Sequence, residues 1–279
     1  MKIYIQTNDK QRLASKIAMA SFVKFGFDKN DIFFLDIEKN EFLKSFINCE
    51  YLRNGSTVKF KDDLQSFTLL RFYAPEMNNF KDKILIIDPD VFACKDPKII
   101  FKELGPNDEL CCTFYNNQPR SEVMLIDAKK VKWNFKEIIE KLFKKQIDYK
   151  DLINLNFEKN RSIKEIKKIY NSHDKIEKDT VLLHTTQRIT QPWKEGLKID
   201  FEKHASINNK LKNIIKKFLG MQYNKSIVEN YYLRHPDTKV IDTVKEIYNF
   251  AIKENVINQS EIDYAVKSNF FSKKFIQNH

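Results

Sequence analysis

The sequence predicts an α/β fold built on a largely parallel sheet, and three observations carry that expectation. Residues 2–6 read as a strand, 12–25 as a helix with Leu13, Ile17, Ala20 and Val23 at helical spacing, and 31–35 as a second strand. That β–turn–α–β opening is how parallel sheets begin. The second observation is Ile84 to Ile87, a continuous apolar run of the kind found in strands covered on both faces. The third is composition. With 42% apolar and 13% aromatic residues and only five glycines in 279, the chain has material for a real core and little for a loop-built or low-complexity protein.

Taken in order, Thr7-Asn8-Asp9 is the turn and cap before the first helix. Residues 68–73 read as a mostly apolar helix leading to Pro75. The strand at 83–87 ends in Asp88-Pro89-Asp90, where proline stops regular pairing because it has no N–H to donate. Strands are expected at 110–115 and 123–127, separated by the polar loop 116–120, then a helix at 135–145 and a short strand at 180–184 that closes on His184. Beyond about residue 207 the character changes. Leu211, Ile214, Ile215, Phe218 and Leu219 lie on a basic amphipathic helix, and further helices are expected at 243–253 and at 260–267, the last capped by Ser260. The division read from this is a domain over 1–204 and a helical C-terminal extension over 205–279.

Composition also narrows function. A formal net charge of +11 favours an anionic partner. One reading it permits is a basic α/β nucleic-acid-binding protein without catalysis, but no nucleic-acid-binding signature is present, and no nucleic-acid partner is expected. The cysteines Cys49, Cys94, Cys111 and Cys112 show no Cys-x-x-Cys spacing. That argues against a structural zinc site; Cys111 and Cys112, in an expected strand, read as buried thiols, which fits a reducing cytoplasm. The first residues read as a strand rather than a signal peptide, and no apolar run approaches the roughly 20 residues of a membrane span. The basic helix at 210–217 could still rest on an anionic membrane surface as a peripheral contact.

The chemistry-bearing residues begin with Asp88 and Asp90. They sit where a buried strand ends, the side at which open α/β sheets bind ligands. Two carboxylates there suit a hard divalent ion such as Mn²⁺ or Mg²⁺. Neither glycine-rich phosphate loop occurs, so a bound diphosphate would have to be neutralised by metal and cationic side chains. His184 is a further ligand candidate, with Arg188 and Lys194 placed after it to hold phosphates. His173, His204, His235 and His279 lack such a setting. Arg71, inside an apolar helix, needs an anionic partner: a diphosphate, a carboxylate, or nearby Glu76 or Asp63.

In this order, Thr7-Asn8, Arg71, Asp88-Pro89-Asp90, the strand Val123-Met124-Leu125-Ile126-Asp127 and His184 followed by Pro192-Trp193 resemble the GT-A nucleotide-sugar glycosyltransferases, in particular family 8, the glycogenin and galactosyltransferase group. The resemblance covers about residues 1–200. It implies a Rossmann-like mixed sheet flanked by helices, and a metal-dependent transfer of a hexose from a nucleotide diphosphate sugar, UDP in this family, to a hydroxyl acceptor with retention. The acceptor classes are a glycan, a lipid-linked sugar or a protein hydroxyl. Asp88, Asp90 and His184 would hold Mn²⁺, Thr7 and Asn8 would lie near the nucleoside, and Arg71 near the donor sugar or phosphate. The chain departs from the pattern at Gln187, where the family has glycine, and at Gln191, where it has lysine before Pro-Trp. Arg120-Ser121-Glu122 stands where the family has Asn-Ala-Gly. No residue identifies itself as a nucleophile.

Overall fold

The computed structural model describes residues 1–158, 161–201 and 207–277. Eleven strands are present among them: β1 (Lys2–Thr7), β2 (Ile32–Asp36), β3 (Glu50–Arg53), β4 (Ser56–Lys59), β5 (Lys83–Ile87), β6 (Val91–Ala93), β7 (Leu110–Tyr115), β8 (Gln118–Asp127), β9 (Ile163–Glu165), β10 (Ser172–His173) and β11 (Leu182–His184). Six form the main sheet in the order β2-β1-β5-β8-β7-β9. β2, β1 and β5 are parallel, as the opening β–turn–α–β predicts. β8 then runs antiparallel to β5, and β7 antiparallel to β8, which makes the sheet mixed. A small second sheet, β10-β11-β6, lies beyond the end of β5.

The apolar runs are explained by cover on both faces. Ile3, Ile5, Leu85, Ile87, Val123 and Leu125 belong to one core cluster, and their alternating neighbours Tyr4, Ile84, Ile86, Met124 and Ile126 to another. On the first face packs the helix Arg12–Lys24, and against that helix packs the helix Thr238–Lys253, which brings Val240, Val244, Ile247 and Ala251 into the same cluster. On the second face pack the 3₁₀ segment Ser66–Tyr73 and the helix Phe135–Phe143. The expected division at 204/205 falls on residues outside those described. Beyond it, the C-terminal helices share the sheet's own core, with Ile262, Ala265, Phe271 and Phe275 in the same cluster. The Ile262, Phe271 and Phe275 side chains each contribute about 1.5–3 kcal/mol by burial, so this layer belongs to the domain's stability.

Local differences from the sequence reading have local causes. The expected loop at 116–120 is a two-residue turn, because Asn116 and Asn117 take φ of 50° and 58° and let β8 start at Gln118. The hairpin β3–β4 turns in the same way at Asn54-Gly55, with φ of 52° and 74°. The helix Gln259–Lys267 is capped by Asn258 in place of Ser260; Asn258 accepts from the Glu261 backbone, and Glu261 reaches back to the Asn258 backbone. All four cysteines are free, and burial pushes the thiols of Cys111 and Cys112 up to about 12. Among the described residues no helix is long and apolar enough to cross a membrane.

Candidate metal centre

Asp88 follows β5 directly. Its carboxylate Oδ1 accepts from Gln6 Nε2 on β1 at 2.7 Å and from the Arg71 guanidinium at 2.8 Å. Arg71 is 1% exposed. Its remaining N–H groups go to Thr68 O at 2.8 Å and Ser121 Oγ at 2.6 Å, and Ser121 in turn donates to Ile153 O. Of the partners considered for Arg71, a carboxylate is the one present, and it is that of Asp88 instead of Glu76 or Asp63. A buried guanidinium fork of this kind fixes the carboxylate it holds.

Pairing in the small sheet brings the distant histidine to the same place. β11 runs antiparallel to β6 with His184 opposite Val91, and Thr185 N continues the ladder to Asp90 O at 3.1 Å. His184 Nε2 therefore lies 3.3 Å from Asp90 Oδ1. The other Asp90 oxygen accepts from Gln191 Nε2 at 3.2 Å. One ligand atom each from Asp88, Asp90 and His184 falls within 4.8 Å of the others. They line a cavity of about 220 Å³ together with Glu122, Thr186, Arg188 and Gln191.

The far side of the imidazole is held as well. His184 Nδ1 lies 2.8 Å from Asn171 Oδ1, while Asn171 Nδ2 donates to Thr113 Oγ1 at 3.0 Å and to Glu122 Oε2 at 3.2 Å. Glu122 Oε2 is also 3.5 Å from His173 Nε2. Burial pushes the Asp88 carboxyl up to about 6, against the opposing pull of Arg71 and His184. For His184, burial favours the neutral ring, but Asp90, Glu122 and Asp88 outweigh it and raise the imidazole to about 9. Burial would raise Glu122 too, yet His173, His184 and Asn171 together lower it to about 2.

The other sequence candidates divide. Arg188 lines the cavity, lies 5.7 Å from the centroid of the Phe201 ring, and burial lowers its pKa. Lys194 is fully buried elsewhere, with Nζ 2.6 Å from Asp200 Oδ2 and over the Tyr232 ring. Thr7 and Asn8 are buried and used internally. Thr7 Oγ1 accepts from Ser15 Oγ, and Asn8 caps the turn at Gln11 and donates to Asp63 O and Ser66 Oγ. Sequence reasoning missed Gln6, Asn171, His173 and Glu122, and gave Gln191 no role. Their only signal is strand register, which places residues of β1, β8 and β10 around the end of β5.

A divalent ion fits this donor set: two carboxylate oxygens and one imidazole nitrogen converge, and Asp88 is a desolvated carboxylate that its neighbours only partly compensate.

No family model matches the chain, and no curated protein matches it. Solved structures do. An active-site mutant of LgtC aligns over 69% of this chain and 89% of its own, with 15% identity and a TM-score of 0.50. The glycosyltransferase GlyE of Streptococcus pneumoniae aligns over 69% of this chain and 56% of its own, with 18% identity and a TM-score of 0.48. The bifunctional glycosyltransferase WbbM aligns over 70% and 47%, with 12% identity and a TM-score of 0.47. The match to LgtC is a likeness of fold: the mixed sheet flanked by helices in this chain has the GT-A arrangement.

Proposed function

We propose that the chain is a metal-dependent glycosyltransferase that moves a hexose from a UDP-sugar to a hydroxyl acceptor with retention. The observation that carries this is the convergence of Asp88, Asp90 and His184 at the carboxyl end of a central strand, in a GT-A fold. An Mn²⁺ or Mg²⁺ ion held there would supply Lewis-acid stabilisation of the departing diphosphate. The chain's own side chains prepare that site. Arg71 and Gln6 fix Asp88, Gln191 fixes Asp90, and Asn171 orients the imidazole so that Nε2 faces the carboxylates. Arg188 supplies positive charge at the cavity wall, where it would stabilise the negative charge a departing diphosphate gains. Thr186 and Arg188 also border a larger cavity of about 1100 Å³, lined by Asn54, Ser56, Gln187 and Tyr223. Amides, hydroxyls and a ring of this kind suit a hydroxyl-rich acceptor, so we place a glycan acceptor there.

The test is hydrolysis and transfer from a panel of UDP-, GDP-, CMP- and dTDP-sugars, with Mn²⁺ and with chelator. Asp90→Asn and His184→Gln should each lose at least about 100-fold of metal-dependent turnover while remaining folded. Full turnover in both variants, or turnover indifferent to chelator, would end this reading.

A peripheral membrane contact is part of the same proposal. In the helix Ile207–Phe218 and just beyond it, Leu211, Ile215, Phe218 and Leu219 are exposed, Phe218 by 90%. They lie among Lys210, Lys212, Lys216 and Lys217, which suits an anionic lipid surface. Co-sedimentation with phosphatidylglycerol vesicles, lost in Phe218→Ser/Leu219→Ser, is the expected result; equal pelleting of the variant would remove it.

A further inference from the structure

His184 has two sides, and the function proposed above uses one. On the other, Glu122 Oε2 lies 3.5 Å from His173 Nε2 and 4.0 Å from His184 Nδ1, and ligand atoms of all three residues fall within 4.8 Å of one another. The two imidazoles meet at 88° with centroids 5.6 Å apart. A tetrahedral ion with ligands at about 2.0–2.1 Å holds them about 3.3–3.4 Å from one another. Both carboxylate–imidazole distances are within an ångström of that spacing.

We propose that Glu122, His173 and His184 Nδ1 form a second metal site, selective for a zinc-class ion, that competes with the oxygen-rich site for the same imidazole. Selectivity follows from the donors. Two imidazoles and one carboxylate suit Zn²⁺, Co²⁺ or Ni²⁺, whereas the carboxylate pair at Asp88 and Asp90 suits Mn²⁺ or Mg²⁺. His173 is 36% exposed at its side chain, which gives an ion a way in and a water for the fourth position.

Competition follows from the ring itself. A neutral imidazole offers one lone pair. An ion on Nδ1 breaks the contact with Asn171 Oδ1 and leaves the proton on Nε2, where it donates to Asp90. An ion on Nε2 puts the proton on Nδ1, donating to Asn171. The two occupancies exclude one another, so zinc at the second site removes the third ligand from the first. Zinc then inhibits a manganese-dependent reaction without entering its site. The zinc site stands by itself; only the competition rests on the role given to His184 above.

The experiment is calorimetric titration of the metal-free chain with Zn²⁺ and with Mn²⁺, alone and in competition. Co²⁺ absorbance reports geometry, since a tetrahedral ion absorbs far more strongly in the visible than an octahedral one. Wild type should bind Zn²⁺ and Mn²⁺ competitively and give the intense tetrahedral Co²⁺ spectrum. His173→Gln should weaken Zn²⁺ at least tenfold, abolish that spectrum and leave Mn²⁺ affinity within threefold. Asp90→Asn should do the reverse. Glu122→Gln is the second probe of the zinc site should His173→Gln fold poorly, as judged by circular dichroism. The proposal is overturned if Zn²⁺ affinity survives His173→Gln or Glu122→Gln in folded protein, or if Zn²⁺ and Mn²⁺ bind together. A chain that binds Zn²⁺ as described but neither Mn²⁺ nor Mg²⁺ would keep the zinc site and discard the metal role given to His184 above.

Discussion

Asp88 and Glu122 are two half-buried carboxylates beside one histidine, and they behave oppositely. Asp88 is pushed up to about 6, and Glu122 is held down at about 2. Burial acts in the same direction on both. The difference lies in compensation. Glu122 has His173, His184 and Asn171 around it. Asp88 has Arg71 and His184, but Asp90 and Glu122 also press on it. One side of the imidazole is electrostatically settled and the other carries excess negative charge. That asymmetry teaches where a hard cation gains most, and it can be attacked experimentally from either side.

The largest effect is expected from Arg71→Met. It leaves the half-buried Asp88 with its main compensating charge gone, a change that costs up to about 3–5 kcal/mol for a fully buried pair. The sign with pH is fixed by the raised carboxyl. A folded-state value above the unfolded 3.8 means that ionising Asp88 removes stability as pH rises through about 6. The loss in Arg71→Met should therefore be larger at pH 8 than at pH 5 in denaturant titrations, and Mn²⁺ should restore part of it. A loss independent of pH would mean that Arg71 acts through packing, and the contrast with Glu122 would disappear.

A smaller effect is expected from the proton on His184. In the metal-free protein the imidazole is raised from 6.5 to about 9, so its charged form adds stability that is complete below 6.5 and lost as pH rises through about 9. An ion on Nε2 must displace that proton. Between about pH 6 and 9, Mn²⁺ affinity should rise about tenfold, or about 1.4 kcal/mol, per pH unit. Below about 6 the slope should steepen as Asp88 takes up a proton too. Calorimetry in buffers of different ionisation enthalpy would count the released proton; none released at pH 7.5 would contradict the charged ring.

How much of this was legible follows from the same geometry. Asp88-Pro89-Asp90 announces itself, because an apolar run ending in proline and flanking acids is a strand end in any register. His184 shows as the close of a short apolar strand, but its meeting with Asp90 depends on the antiparallel β6–β11 pairing, which nothing local encodes. Glu122, Asn171 and His173 were invisible for that reason, since each is an ordinary polar residue until β8 and β10 are set in place. Lys194 misled in the opposite way. It stands just after Pro192-Trp193, within reach in sequence of the His184 segment, yet its partner is Asp200, with the Tyr232 ring beside it. The C-terminal helices read as an extension because their apolar stripe is a property of the helix, while the core cluster it joins beside the helix Arg12–Lys24 is a property of the fold.

The finest distinction is between the two residues that hold the paired acids. Asp88 is gripped by a buried guanidinium and Asp90 by the neutral amide of Gln191 at 3.2 Å. A neutral hydrogen bond contributes about 1 kcal/mol, against several for a buried charge pair. Gln191→Leu should therefore lower Mn²⁺ affinity by only about fivefold and leave the unfolding midpoint close to wild type. Gln191→Lys should do something different. An ammonium beside Asp90 neutralises the excess charge that draws the cation, so Mn²⁺ affinity should fall further while the protein becomes no less stable. If leucine and lysine at this position weakened Mn²⁺ equally, the excess negative charge around Asp88 and Asp90 would have no part in attracting the ion, and geometry alone would account for the site.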